Sequence, residues 1–570
     1  MFHGFPGLRL SRILSAFICF SLLAAVQSRI IPSKGKGAEI DRIFAPWDRP
    51  DTPGAAVVVI RDGRVIHKKG YGMANLEWGV PNTPRTVFCV GSVSKQFTAY
   101  AVALLAGRGR VLLDEDYRAY IPEMPDYGVR ITVGDLIHHT SGLRDDQMIL
   151  YLGDWERGEL HGAGAVIDDI LARQKGLLFK PGEAFDYSNS NYCLLGEIVR
   201  RASGMSLREF ARTAVFEPLG MTSTLFLDDF REVVRNRAWS YVRTPGSGYK
   251  AYIDTNDQVG AGGVHTTVED MALWIARFDS AAADGPGVIG RILSPGRLRN
   301  GEEVAYGFGL ELDTFKGRRV VRHDGSYGGF NAMDLRFPDD RFAVFCAANA
   351  GDLDARAACY RIARLYLKDK FIEPAPDARP VIRLDARTLK SLAGDYRNRK
   401  NMDLMTVTVA GDHLVCTINE DSGADYAPVS AREFRCLAPG RTPLLDFAGP
   451  GSSPASGLRS RRDGKTIDIY ERIERATPSP EALREYAGAY FSGEMSASYR
   501  FEVRDGSLYV CFKRAPKSAL RPLVKDQFAA WPLIFDFDRA GDGSVSGFRL
   551  GRIGPDGIPF NRIEACRTGR

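Results

Sequence analysis

Residues 87–100 read VFCVGSVSKQFTAY and carry Ser92-Val93-Ser94-Lys95. A serine hydroxyl is a weak nucleophile until a nearby group takes its proton, and a lysine three residues on shares its helix face. The pair alone decides little, because a chain of this length holds about one such spacing by chance. The following run, KQFTAYAVALLAGRG, is apolar almost all round, which predicts a buried helix starting at Ser92. The first turn of such a helix has backbone N–H groups free to face a developing oxyanion. A lysine entering it loses solvation, which favours its neutral form; it can then act as a base, or stay charged and lower the pKa of a second base. Ser94 faces elsewhere and is read as structural.

Outward from this stretch, strand patterns stand at both ends of one region. GAAVVVIRDGRVIHKKGYG, from Gly54, is two apolar runs about the turn Arg61-Asp62-Gly63, a β-hairpin. GRRVVRHDG, GFNAMDLRF and RFAVFCAANAG read as three late strands, the last two joined at Pro338-Asp339-Asp340. The middle, residues 135–279, reads as mostly helical, and ARAACYRIARLYLKDKF closes the region as a helix. The economical fold is α+β: one antiparallel sheet built from both ends, covered by helices, beside a helical subdomain.

Two further polar clusters can carry chemistry. Tyr187-Ser188-Asn189 sits in a polar loop ahead of a helix. A phenol beside a cation loses its proton more readily, and the Asn189 amide can both donate to and accept from a substrate amide. Read alone, the cluster is a helix-capping loop. His323-Asp324-Gly325 follows an apolar strand. Gly325 allows close approach to that strand, the Ser326 N–H is a second oxyanion donor, and His323 can orient or protonate near neutral pH. Read alone, His-Asp-Gly is a turn.

The 570 residues exceed one core, and a net charge of +6 gives no reason to expect nucleic acid. Arg9 and Arg12 precede an apolar run at residues 13–26, with small residues at a cleavage position after it, so residues 1–28 read as a signal peptide; an uncleaved anchor is the competing reading. Of nine cysteines, Cys19 leaves with the signal; Cys416 and Cys436 can pair, though buried thiols are expected for most. Adjacent His138 and His139 make a poor metal pair, and neither a metal nor a cofactor is expected. Proline-rich IEPAPDARP and ERATPSPEA divide off the C-terminal part. LKSLAGDY from Leu389 aligns with LREYAGAY from Leu483, an offset of 483 − 389 = 94 residues, at which Val409 meets Val503 and Leu414 meets Leu508. This predicts a duplicated all-β module. The expected domains are residues 29–375, 381–475 and 481–570, the last two antiparallel and β-barrel-like.

In this order and at these separations, Ser-x-x-Lys, Tyr-x-Asn and His-x-Gly resemble the serine β-lactamase and penicillin-binding-protein superfamily. The likeness is to the class C branch and its D-aminopeptidase and D-Ala-D-Ala carboxypeptidase relatives. ITVGDLIHHTSGL, FEPLGM, GAGGVHTTVEDMALW and YGFGLEL carry it through residues 54–367, and the duplicated β-module is similar to that of three-domain D-aminopeptidases. The resemblance implies that Ser92 is acylated, that Lys95 and Tyr187 share base and acid work, and that Asn189 binds a substrate amide. His323 stands where β-lactamases carry a lysine, which removes a fixed cation for a substrate carboxylate. Strict D-aminopeptidases use acidic groups on the free amine, one on a loop of the last β-domain; the stretch FKRAPKSALRPL from Phe512 holds no carboxylate, and Glu311 is the alternative. The expected protein is a secreted or periplasmic serine hydrolase acting on amides of D-amino-acid peptides, with a small peptide or peptidoglycan-derived substrate. No nucleic acid and no stable membrane insertion after signal cleavage are expected, and a homodimer is allowed. The rival readings are an esterase of the same fold and a penicillin-binding receptor without turnover.

Overall fold

The computed structural model describes residues 35–153, 162–253, 255, 257–281, 287–372, 379–398, 403–419, 422–438, 443–448, 454–462, 465–512, 515–530, 533–551 and 557–563. The signal segment and most of the first proline-rich linker lie outside the described residues. Two compact units form. One gathers the chain up to Leu112 with Leu195–Gly296 and Glu303–Ile372; the other gathers Leu113–Leu194, Arg297–Glu302 and Glu373–Arg570.

The first unit is built on six antiparallel strands, β1 (Ala55–Arg61), β2 (Arg64–Tyr71), β3 (Glu311–Phe315), β4 (Arg318–Tyr327), β5 (Phe330–Phe337) and β6 (Phe342–Ala348), in the order β3-β4-β5-β6-β1-β2. Both ends of the region therefore meet at the β1–β6 pair, where Val58 faces Phe345. The turn between β1 and β2 places Asp62 and Gly63 at positive φ, as a two-residue hairpin turn of the favoured hand requires. β1 is an interior strand, paired on both sides and buried, which is why Ala-Ala-Val-Val-Val-Ile shows no polar alternation.

The long helices are α1 (Lys36–Phe44), α2 (Lys95–Gly107), α3 (Asn189–Ser203), α4 (Val268–Ala281) and α5 (Ala355–Leu367). Val57, Val59, Val320, Met333 and Val344 form one core with Ile40 and Phe44 of α1 and Cys359 and Ile362 of α5. α2 packs on α4 through Phe97 and Trp274, ring centroids 4.7 Å apart. The middle region is not helical throughout. Ser240–Thr244 and Gly248–Tyr252 pair as a hairpin, in a stretch whose turn Pro245-Gly246-Ser247 interrupts any helical period.

In the second unit, Val133–Ile137 starts with a capping box between Thr132 and Asp135, and Asp145 caps Asp146–Leu152. Further along, eight strands between Gly394 and Ile473 close a barrel, and nine between Gly488 and Ile563 form one antiparallel sheet. The repeat holds at atomic detail. Strands Gly394–Asn398, Leu404–Ala410 and His413–Ile418 recur 94 residues later, within a residue, as Gly488–Ser492, Ala497–Arg504 and Ser507–Phe512. Tyr396 donates its hydroxyl to the Leu392 carbonyl, and Tyr490 does the same to Tyr486. Arg472 and Arg562 cover the two rings. The seven described cysteines are free thiols, with Cys416 and Cys436 inside the barrel core.

Candidate active site

Ser92 does not begin an α-helix. It lies in a 3-10 turn, Gly91–Ser94, and α2 starts at Lys95. The tighter turn follows from Gly91, whose φ of 50° is poorly open to other residues and bends the chain out of β-structure. Lys95 is fully buried and Ser92 half-buried. The Lys95 Nζ donates to Ser92 Oγ at 3.0 Å and to the Ala261 carbonyl at 2.8 Å. Ser94 is turned inward and accepts the Val264 N–H, the structural role expected of it. Behind the turn, Gln96 bonds Asp334 of β5 and accepts the Trp274 indole N–H, which fixes the start of α2 on the sheet.

β4 crosses this turn at contact distance. A Cβ on Gly325 would stand 2.0 Å from the Val90 carbonyl and 3.0 Å from the Ser92 nitrogen; one on Gly91 would stand 2.8 Å from the Ser326 nitrogen. Only hydrogen at both positions lets the backbone of residues 90–92 and that of residues 325–326 approach this closely. His323 is buried on the same strand. Its Nδ1 lies 2.6 Å from the Asp324 carbonyl and its Nε2 3.0 Å from the Tyr306 hydroxyl. A carbonyl only accepts, so Nδ1 carries the proton and Nε2 takes the Tyr306 O–H. Burial and then the Lys95 charge push the imidazole down to about 4. His323 is thus an oriented ring whose neutral form is favoured by its burial.

Tyr187 and Asn189 belong to the second unit. Asp145 Oδ2 accepts both the Asn189 backbone N–H (2.6 Å) and its Nδ2 (3.0 Å), which fixes which way the amide points. The Ser188 N–H donates to His139 Nδ1 at 3.2 Å, and the His139 ring lies against Tyr187, centroids 4.5 Å apart. His139 itself holds a φ of 57°, an uncommon backbone for a non-glycine residue.

The structure thus brings Ser92, Lys95, His323, Gly325 and Ser326 together in one unit, and in the other holds Tyr187 at the end of a loop and Asn189 as the first residue of α3, so the helix takes in part of the cluster read as a loop. Glu311 is not in this cluster. It pairs across the β3–β4 ladder with Arg322, bonds that guanidinium, and so stands on the sheet face opposite His323. The stretch from Phe512 is mostly strand, not a free loop, and its Lys517 is tied to Glu502. Sequence reasoning misses Tyr306 and Asp145 and weighs His139 only as a poor metal ligand, although YGFGLEL and ITVGDLIHHTSGL contain Tyr306 and His139. Each acts across a loop of 17 residues or more, which no local pattern reports. Among the described residues, no cluster of three or more His, Cys, Asp or Glu is placed to hold a metal.

A serine hydroxyl held by a buried lysine beneath the edge of an antiparallel sheet marks a class, the serine hydrolases with a Ser-x-x-Lys nucleophile turn. The Beta-lactamase family profile matches residues 40–368, more than half of the chain, and the chain belongs to that family as a serine hydrolase. The chain is 26% identical to a D-aminopeptidase of Brucella canis over 542 residues, covering 90% of this chain and 96% of that one. Among solved structures it is similar in fold to the octameric penicillin-binding protein homologue from Pyrococcus abyssi, with a TM-score of 0.52, 23% identity, and 84% and 98% of the two chains covered. A penicillin-binding protein from Bacillus halodurans matches with a TM-score of 0.50 and 22% identity over 57% of this chain and 99% of its own.

Proposed function

We propose that the chain is an exported hydrolase, secreted or periplasmic, that cleaves amide bonds next to D-amino acids in short or peptidoglycan-derived peptides through an acyl-enzyme on Ser92. The observation that carries this is the 3.0 Å bond from the buried Lys95 Nζ to Ser92 Oγ, under a strand that carries a backbone N–H to the same turn. Supporting the substrate class is the relationship to D-aminopeptidases along nearly the whole length, both β-modules included.

In this reading Ser92 Oγ attacks the carbonyl carbon and gives up its proton to the base work that the family resemblance assigns to Lys95 and Tyr187. The Ser92 and Ser326 N–H groups take the oxyanion. The tetrahedral intermediate collapses, the C–N bond breaks, and the pair returns the proton to the leaving amine. Water then enters by the same route in reverse and releases the acid. Asn189, its Nδ2 turned toward Asp145, presents its carbonyl oxygen to a substrate N–H. His323 shapes the wall beside Lys95 without adding a second charge. A neutral group at this position suits substrates that offer no carboxylate to a fixed cation.

The test is kcat/KM on matched D- and L-alanyl amides, D-Ala-D-Ala peptides and p-nitrophenyl esters. The expected order puts D-amides first, with turnover lost in Ser92→Ala. Turnover confined to esters would replace the amidase reading with an esterase. Export is tested by N-terminal sequencing of protein from the periplasmic fraction or the medium: the chain is expected to begin just after residue 28, and a full-length membrane-bound product would contradict it.

A further inference from the structure

The hairpin between strands Gly488–Ser492 and Ala497–Arg504 of the last sheet sends Glu494 into the helical part of its own unit. Glu494 Oε2 accepts from Arg144 Nη1 at 2.6 Å; the two side chains are 6% and 4% exposed. The same oxygen accepts the Lys175 N–H at 3.1 Å, and the Glu494 carbonyl accepts Gln174 Nε2 at 3.2 Å. Gln174 Oε1 takes a bond from Arg144 Nη1 at 3.2 Å, and Gly557, from a second turn of the last sheet, takes one from Nη2 at 3.3 Å. The guanidinium is therefore gripped by the last sheet from two sides.

The main chain at the same position holds something else. The Arg144 carbonyl accepts Ser190 Oγ at 2.6 Å, Ser190 Oγ accepts the Asp146 N–H at 2.8 Å, and Asp145 takes both bonds from Asn189. Residues 144–146 are thus a bracket. Their one long side chain is fixed by the last sheet, and their backbone and one carboxylate fix the loop that carries Tyr187 and Asn189. A buried ion pair is a weak device for stability, since well-packed apolar residues do as well, but it sets register strictly because either partner alone is intolerable there. An Arg–Glu pair at this point, rather than a greasy contact, suits a need for position.

We propose that Glu494 and Arg144 are a positioning pair through which the last β-sheet sets the geometry of the Tyr187-Ser188-Asn189 loop, so that this domain is part of the catalytic apparatus without touching substrate. The proposal rests on the hydrolase reading above. It gives the appended sheet a role that its sequence did not suggest, and it places the carboxylate of this domain on an arginine rather than on a substrate amine.

The test compares two changes at the same interface in the full-length protein. Glu494→Gln keeps shape and removes charge. Tyr499→Phe deletes the 2.9 Å bond from Tyr499 Oη to the Leu152 carbonyl, at the far end of the helix Asp146–Leu152, and leaves every bond to the side chains of residues 144–146 in place. Because misplacing a catalytic group by about 1 Å costs on the order of 100-fold, Glu494→Gln is expected to lower kcat on a D-alanyl amide at least tenfold with KM nearly constant. Glu494→Asp recovers part of this, and Tyr499→Phe leaves kcat within twofold. Hydrogen exchange in the peptide spanning residues 187–190 should rise in Glu494→Gln and not in Tyr499→Phe. Equal kcat and equal exchange in the two variants, or a Glu494→Gln protein indistinguishable from wild type, would overturn the positioning role. A wild-type protein inert on every amide and unlabelled at Ser92 would overturn the hydrolase reading, and the exchange comparison would then still decide the clamp.

Discussion

At the scale of single residues, the site separates groups whose roles spacing reveals from groups whose roles only contact reveals. Ser92 and Lys95 were legible because a three-residue interval is local. His323 was legible as a candidate, but its protonation state was not. That state is set first by burial and then by the Lys95 charge, against the opposing pull of the Asp324 carbonyl, and burial is not a local property of the sequence. Tyr306→Phe leaves the buried Nε2 without its donor, and is expected to cost about 1–3 kcal/mol of stability by urea denaturation and to lower amide turnover. The pH dependence has a definite sign. His323 and His265, both buried, are each pushed down to about 4, against an unfolded value near 6.5. Between pH 6.5 and 4 the unfolded chain binds protons that the folded chain refuses, so stability falls as pH falls through that window. A shift of this size corresponds to about 3 kcal/mol for each histidine at the acid end. Urea midpoints from pH 7 to pH 4 should show the loss, and His323→Gln should remove about half of it. A flat profile would contradict the buried neutral state.

Among the elements, the sheet was read almost completely and the helix start was not. Continuous apolar runs and turn chemistry name β1, β2 and the late strands, because a two-residue Asp-Gly hairpin and runs of valine leave few alternatives. The 3-10 turn at Gly91–Ser94 has no period of its own, so periodicity placed the helix three residues early. The difference matters, since the turn is what meets β4. Gly325→Ala is expected to force β4 away from Val90, costing about 1–3 kcal/mol in thermal or urea unfolding and more in turnover than in stability. Wild-type turnover in this variant would mean that the close crossing is not needed. The Tyr187 loop shows the opposite limit. Its residues were visible in sequence, but the groups that hold it, His139 and Asp145, stand 44 residues or more away and were invisible.

For the whole molecule, the chain is a β-lactamase-family hydrolase followed by two copies of one β-module. The duplication was legible because it keeps its offset, down to the tyrosine that caps its own helix-end carbonyl in each copy. Tyr396→Phe and Tyr490→Phe should each lose about 1 kcal/mol, and by similar amounts, if the copies fold on the same plan. What the copies do was not legible, because the contact that suggests it joins residues 350 positions apart. The hydrolase reading makes Ser92 Oγ the atom that becomes acylated. Fluorophosphonate labelling followed by peptide mapping tests this most directly. The predicted result is a single adduct on the peptide containing Ser92, absent in Ser92→Ala and formed at least tenfold more slowly in Tyr187→Phe. Equal labelling of Ser92→Ala, or an adduct mapped to another residue, would contradict it.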